Sequence, residues 1–243
     1  MPLIRVIDLE TNGMEASDAV LEAGWCDLIP EGDAWLIDEP GGRLFGLDGP
    51  LKPDARAVHH ITPEEIAGRA PFSAQALANE ATAADAIILS AHAWHFEGQW
   101  LTPEVLGQLR PLCTWKAALR VWPDAPSHSN GALRYWLEDQ GLITPAHHLT
   151  MPPHRATPDA YVTAHLLQAL LAHQTARQMV AWTKEPALYP RCPIGEKQGF
   201  KGKPWSEVDG GFLYWITQQA GMEPDIKWCA GRELNRRQEV SPP

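Results

Sequence analysis

No run of about 18 uninterrupted apolar residues occurs in the 243-residue chain, so a membrane-spanning helix is not expected. The N-terminus shows no basic segment followed by an apolar one, which argues against a secretory leader and makes a cytoplasmic location the expectation. Cysteine is sparse: Cys26, Cys113, Cys192 and Cys229 are scattered without the paired spacing of a metal site, as expected of reduced structural thiols. Positive charge is also short, with 20 Lys and Arg against 30 Asp and Glu, net −10. That balance argues against a general affinity for nucleic acid, which depends on Lys and Arg displacing counterions from phosphates. Internal repeats and low-complexity tracts are missing too. What is present, 44% apolar and 21% charged residues, describes a globular chain with room for one large or two smaller domains.

The charge is unevenly spread. Residues 184–237 carry nine Lys or Arg against seven Asp or Glu, a local balance of +2 that leaves −12 on the rest. An acidic body beside a mildly basic tail is compatible with an enzyme that holds metal ions and acts on phosphodiesters.

Residues 3–9, 20–29 and 34–37 read as a meander of three strands, with a turn at Pro30-Glu31-Gly32-Asp33. A Gly- and Pro-rich connection over residues 40–53 leads to Thr62-Pro63, the cap and first residue of a short helix. Ser73 is expected to cap an alanine-rich helix to residue 84, ahead of a strand over residues 86–92 buried on both faces. Phe96, Trp100 and Leu101 fall at helical spacing, as do Leu133, Trp136 and Leu137 in a helix that ends at Gly141. Thr157-Pro158 predicts the start of a long helix, with Thr as cap, whose Val162, Leu166, Ala169 and Leu170 pack on the sheet. Composition changes near residues 183–190, which places a domain boundary between residues 1–183 and 184–243.

The chemistry-bearing pattern begins in the first strand. Side chains alternate across a strand, so Ile4, Val6, Asp8 and Glu10 share one face. Two carboxylates so close to an apolar core are costly unless a cation neutralises them, and a hard divalent ion suits oxygen ligands. Two further sites follow: Glu97, one turn into a helix after the strand over residues 86–92, and His154 with Asp159 at the start of the long helix. Each has a plain structural explanation alone, such as a solvent-facing helical Glu or an Asp complementing a helix dipole. Their order and combination are more specific.

The set Asp8-x-Glu10, then His92-x-x-x-Phe96-Glu97, then His154-x-x-x-x-Asp159-Ala160 resembles the DEDDh family of 3′→5′ exonucleases. Residues 8–14, 59–64 and 126–133 resemble further segments of that family, and the tail over residues 195–215 resembles its small C-terminal module. The resemblance implies an α/β, ribonuclease H-like body, a mixed five-stranded sheet flanked by helices. It also implies two divalent ions, Mg2+ or Mn2+, about 4 Å apart, driving in-line phosphodiester hydrolysis. By the same resemblance Asp8 would bridge the ions, Glu10 and Asp159 would help hold the first, and Glu97 would serve the second. His154 would be the general base, on a loop at residues 151–153 able to close over substrate. Thr11 and Asn12 would meet the terminal nucleotide, Met14 would wedge against its base, and His59 and His60 would touch the strand. The implied substrate is the single-stranded 3′ end of DNA, chosen by its free end more than by its sequence.

This chain departs from the family where Ala93 replaces a usual Asn and Glu97 replaces a usual Asp. The lost amide and the added methylene predict an altered metal preference, toward manganese. Two alternatives stay open at the level of sequence: an exoribonuclease on the same fold, and a catalytically weakened module that binds nucleic acid or a partner protein. For the tail, Lys197, Lys201 and Lys203 gripping phosphate, a docked partner protein or completion of the fold all remain open.

Overall fold

In a computed structural model that describes residues 2–240, the first strand β1 (Leu3–Thr11) lies at the centre of the sheet. It pairs antiparallel with β2 (Val20–Glu31) on one side and parallel with β5 (Ala86–Ala91) on the other. Strand β3 (Ala34–Ile37) extends the meander beyond β2, and β6 (Arg110–Cys113) lies parallel to β5 at the far edge, giving the order β3-β2-β1-β5-β6. A sixth strand, β4 (Gly41–Leu44), pairs with the other half of β2. The sheet therefore has six strands where five were expected. Gly41 and Gly42 made that segment read as a loop, yet there is no room for larger side chains: a Cβ at Gly42 would overlap the Thr157 hydroxyl.

Helices α1 (Pro53–His59), α2 (Pro63–Ile66) and α3 (Ala74–Ala83) fill the crossover from β4 to β5, and α4 (Trp94–Glu97) and α5 (Pro103–Leu106) the crossover to β6. Then come α6 (Thr114–Val121), α7 (Asn130–Asp139), α8 (Ala156–Leu171) and α9 (Ala176–Lys184). Ser73 caps α3, and Thr62 forms a reciprocal capping box with Glu65 on α2. Trp100 and Leu101 do not extend α4: it closes after one turn, their amides both bonding the Glu97 carbonyl.

Two apolar layers sandwich the sheet. Ile4 and Val6 of β1 join Leu133, Leu137, Leu166 and Leu167 on the face covered by α6 to α9. Ile7 and Leu9 join Leu77, Ala81 and Leu106 on the other face. Ile87 of β5 is nevertheless 47% exposed, so that strand is not wholly buried. Helix α8 carries more than a stripe, because Tyr161, Val162, Thr163, Ala164 and His165 are all buried along with Leu166 and Leu170. A helix apolar around most of its circumference is a central one.

Helix α8 also starts earlier than Thr157 suggested. Its N-cap is Arg155, and the orphan amide of Ala156 is met by the Glu22 carboxylate of β2 at 3.1 Å. Thr157 donates instead to the Gly41 carbonyl at 3.3 Å. Beneath this first turn lies Gly24, directly opposite Asp8 in the β1–β2 register, where a Cβ would overlap the Ala156 carbonyl. Two glycines thus let α8 begin in contact with the sheet.

Beyond α9, α10 (Gly210–Gln218) and α11 (Pro224–Val240) build a separate apolar cluster around Cys192, Trp205, Leu213, Ile216, Ile226 and Cys229. Arg237 of α11 ties the loop before α10 by donating to the carbonyls of Trp205, Ser206 and Val208. Among the described residues no helix is long and apolar enough to cross a membrane.

Substituting Gly24→Ala is expected to destabilise the protein by about 1–3 kcal/mol through overpacking against α8. Gly131→Ala, on α7 with nothing near its Cβ, should be neutral or stabilising by up to about 1 kcal/mol. Urea denaturation of the two variants checks this; equal stabilities would contradict it.

Candidate active site and metal centre

The face of β1 that holds Ile4 and Val6 is the face α8 covers, so Asp8 and Glu10 point toward the helix's first turn. Asp159 sits in that turn. One carboxylate oxygen from each of Asp8, Glu10 and Asp159 lies within 4.8 Å of the others. Glu97, the last residue of α4, stands at the flank of this triad: it is 4% exposed, and its charge is felt by Asp8 and Glu10. Its carboxylate accepts from its own backbone amide, and its Oε2 is buried without a hydrogen-bond partner. Three of the four expected acids are therefore tightly gathered, and the fourth borders them.

The arrangement is electrostatically strained. Burial first, and then the charges of Asp159, Glu10 and Glu97, hold the Asp8 carboxyl well above the usual carboxylate range. Glu10 is pushed up to about 8 by burial and by Asp159 and Glu22; Glu97 reaches about 8 by burial. Asp159 is raised by burial, against the opposing pull of the His154 amide. An all-oxygen donor set, mutually repelling carboxylates and an orphaned Oε2 together fit a hard divalent cation, which would remove the repulsion.

His154 is exposed and left-handed, at φ 59°, a conformation His tolerates better than most residues. That twist aims its backbone amide at Asp159 Oδ2, 2.9 Å away. The next residue, Arg155, is clamped: its guanidinium reaches both Glu22 oxygens at 2.9 and 3.0 Å and Glu65 at 3.4 Å. Asn130 secures the other side, donating to the Thr163 hydroxyl at 2.7 Å and to the Asp159 carbonyl at 3.4 Å. Glu22, Arg155 and Asn130 were not among the sequence-derived site residues. A charged Glu22 inside the apolar run of β2 was the one signal pointing to them.

The residues expected to meet substrate divide. Met14 is 72% exposed, free to touch a ligand. The Thr11 hydroxyl donates to the Gly13 carbonyl at 2.5 Å. The Asn12 side chain donates to the Pro50 carbonyl and accepts from the Lys52 amide, and its backbone amide donates to the Ala19 carbonyl. It serves to hold the loop at residues 50–52. His59 is likewise buried, at 1% exposure, with Nδ1 accepting from the Ile61 amide at 2.9 Å. Burial and then the nearby Arg155 charge lower its pKa, and its Nε2 is buried without a hydrogen-bond partner. His60 is exposed and left-handed at the end of α1.

Acids with pKa values raised on folding give a definite pH dependence. The folded chain binds their protons more tightly than the unfolded chain, so their contribution is complete below about pH 4.5 and is lost as pH rises through about 8. In chelator the melting temperature should fall across that window, and added Mg2+ or Mn2+ should remove most of the fall. A melting temperature unchanged by pH and by metal would contradict the reading.

No family model matches the chain. Among curated proteins, exodeoxyribonuclease 10 of Escherichia coli K12 is 30% identical over 230 residues, covering 93% of this chain and 96% of the relative. A solved structure of exonuclease X in complex with 5′ overhanging duplex DNA is 28% identical with a TM-score of 0.56, covering 74% of this chain and all but 1% of that one. A zinc-bound structure of E. coli exonuclease I with single-stranded DNA has a TM-score of 0.52 at 15% identity, over 75% of this chain and 42% of its own, which supports the fold alone. The likeness to exodeoxyribonuclease 10 runs through nearly the whole of both chains, and on that ground the chain belongs to the exodeoxyribonuclease X family of DEDDh exonucleases.

Proposed function

We propose that the protein is a metal-dependent 3′→5′ exodeoxyribonuclease that releases nucleotides from single-stranded 3′ ends of DNA. The observation that carries the reading is the convergence of Asp8, Glu10 and Asp159 within 4.8 Å, on a chain 30% identical to an exodeoxyribonuclease. In this reading Asp8, Glu10 and Asp159 would hold one divalent cation, and Asp8 and Glu97 would serve the second. Divalent cations in such a pocket supply charge neutralisation for the phosphodiester and activation of the attacking water. His154 takes the proton from that water, a role that suits an exposed imidazole whose loop is anchored through Arg155. Met14 packs against the terminal base, and the segment from Thr11 to Gly13 borders the sugar and phosphate.

The oxygen-only donors favour Mg2+ or Mn2+ over softer metals. Glu97 carries one more methylene than Asp and curls back to its own amide, which supports a looser second position and a shift toward manganese. Residues 1–183 would be the catalytic domain and 184–243 an accessory module supported by its own apolar cluster; Met1 and residues 241–243 lie outside the described residues.

The deciding experiment incubates the protein with 3′- and 5′-labelled single-stranded DNA and RNA in Mg2+, Mn2+ or chelator. Stepwise shortening of 5′-labelled DNA, only with metal, is the expected result. His154→Ala should lower turnover about 10²- to 10⁴-fold while metal affinity is retained. Glu97→Asp should raise activity in Mg2+ relative to Mn2+, and Glu97→Ala should lower it in both. Full activity of Glu97→Ala would remove Glu97 from the site.

A further inference from the structure

Strong negative charge on the catalytic body, −12 outside residues 184–237, leaves open what holds a polyanionic strand near the site. The C-terminal region carries two candidate surfaces. One is a cavity of about 710 Å3 lined by Trp228, Arg232, Glu233, Arg236 and Glu239, but its cations are balanced by its acids, and Arg236 is held by Glu233 at 2.7 Å. The other is a ladder of rings. Phe200 and Phe212 have centroids 5.0 Å apart, and Phe212 and Trp215 are stacked at 5.3 Å and 15°.

The loop that carries Phe200 is tightly built. Gly195, Gly199 and Gly202 all have positive φ, and a Cβ at Gly195 would come within 2.8 Å of the Phe212 ring. Cross-bonds from Cys192 N to Lys203 O and from Gly202 N to Cys192 O, each 2.8 Å, close its base. Around its rim Lys197, Lys201 and Lys203 are exposed. Lys203 Nζ lies 5.7 Å from the Phe200 ring centre, and Lys201 makes only an exposed pair with Glu196 at 3.3 Å, which holds it weakly. Lys197 and Lys203 form no ion pair among the described residues. Trp215 at the open end of the ladder is 46% exposed, and its neighbour Tyr214 is 61% exposed.

We propose that this ladder and its lysine rim form a second site for single-stranded DNA, separate from the acidic centre. Bases stack on Trp215 and Tyr214 while phosphates meet Lys197, Lys201 and Lys203. Stacking is indifferent to base identity, and cations beside ring faces are what a single strand needs. A row of rings joins the catalytic body to the apolar cluster on which the ladder packs. His95, two residues before Glu97, meets Trp115 at 6.1 Å, and Trp115 meets Tyr189 at 5.8 Å, at the entry to the C-terminal cluster. A long strand held there would stay attached to the enzyme between cleavages.

The test uses the full chain, a long oligothymidylate and a trinucleotide as substrates, and two variants, Trp215→Ala and Lys197→Ala/Lys201→Ala/Lys203→Ala. Circular dichroism verifies the fold of each. Trp215→Ala should weaken binding of the long strand in chelator about tenfold. The triple lysine variant should reduce the slope of log affinity against log salt by about 2, and Lys→Arg at the same positions should restore it. Turnover of the trinucleotide should be unchanged in both. An unchanged affinity for the long strand in both folded variants overturns the proposal and leaves the surface to a protein partner. An equal loss on the trinucleotide overturns it too, since it would place the effect at the acidic centre.

Discussion

The architecture turns on the close seating of α8's first turn against β1 and β2. Gly24 and Gly42 remove the side chains that would hold the helix away, and Glu22 supplies the acceptor that the Ala156 amide lacks. An acid buried in a strand is unfavourable alone, but here it meets Arg155 and a helix N-terminus together. One consequence is that Asp159 arrives opposite Asp8 and Glu10. Another is that His154, one residue before the clamped Arg155, is tethered to the same place by its amide.

That seating creates the site's electrostatic tension. Carboxylates raised by burial and by one another are costly to the fold without a cation, and a cation held as proposed would relieve that cost. In the proposed reading, stability and function are linked through the same acidic side chains. Glu97 is the exception in detail: its orphaned Oε2 and its bond to its own amide show a group not yet engaged with the rest.

Much of this was legible in the sequence where the rule is local. The shared face of Asp8 and Glu10 follows from the two-residue period of a strand, and the caps at Thr62 and Ser73 follow from short-range side-chain chemistry. What escaped depends on distant residues. The cap of α8 lies in a strand 134 positions away, so Thr157 looked like the natural start. Strand β4 was hidden because its glycines, required by packing of Gly41 against Trp25 and of Gly42 against Thr157, carry the usual signature of a turn. Asn12 and His59 matched a motif by position, which could not show that Asn12 also bonds the loop at residues 50–52 or that His59 Nδ1 accepts from the Ile61 amide while its Nε2 has no partner.

Charge is unevenly divided between an acidic body and a C-terminal region where Lys197, Lys201, Lys203, Tyr214 and Trp215 are exposed. In the proposed reading a strand held by the second would be cut only where the acid cluster of the first is complete. Anomalous diffraction from crystals grown with Mn2+ measures that centre directly. The account predicts a manganese peak within coordination distance of Asp8, Glu10 and Asp159, with Glu97 turned toward it or toward a second peak. Manganese bound elsewhere, with these carboxylates left without metal, would contradict it.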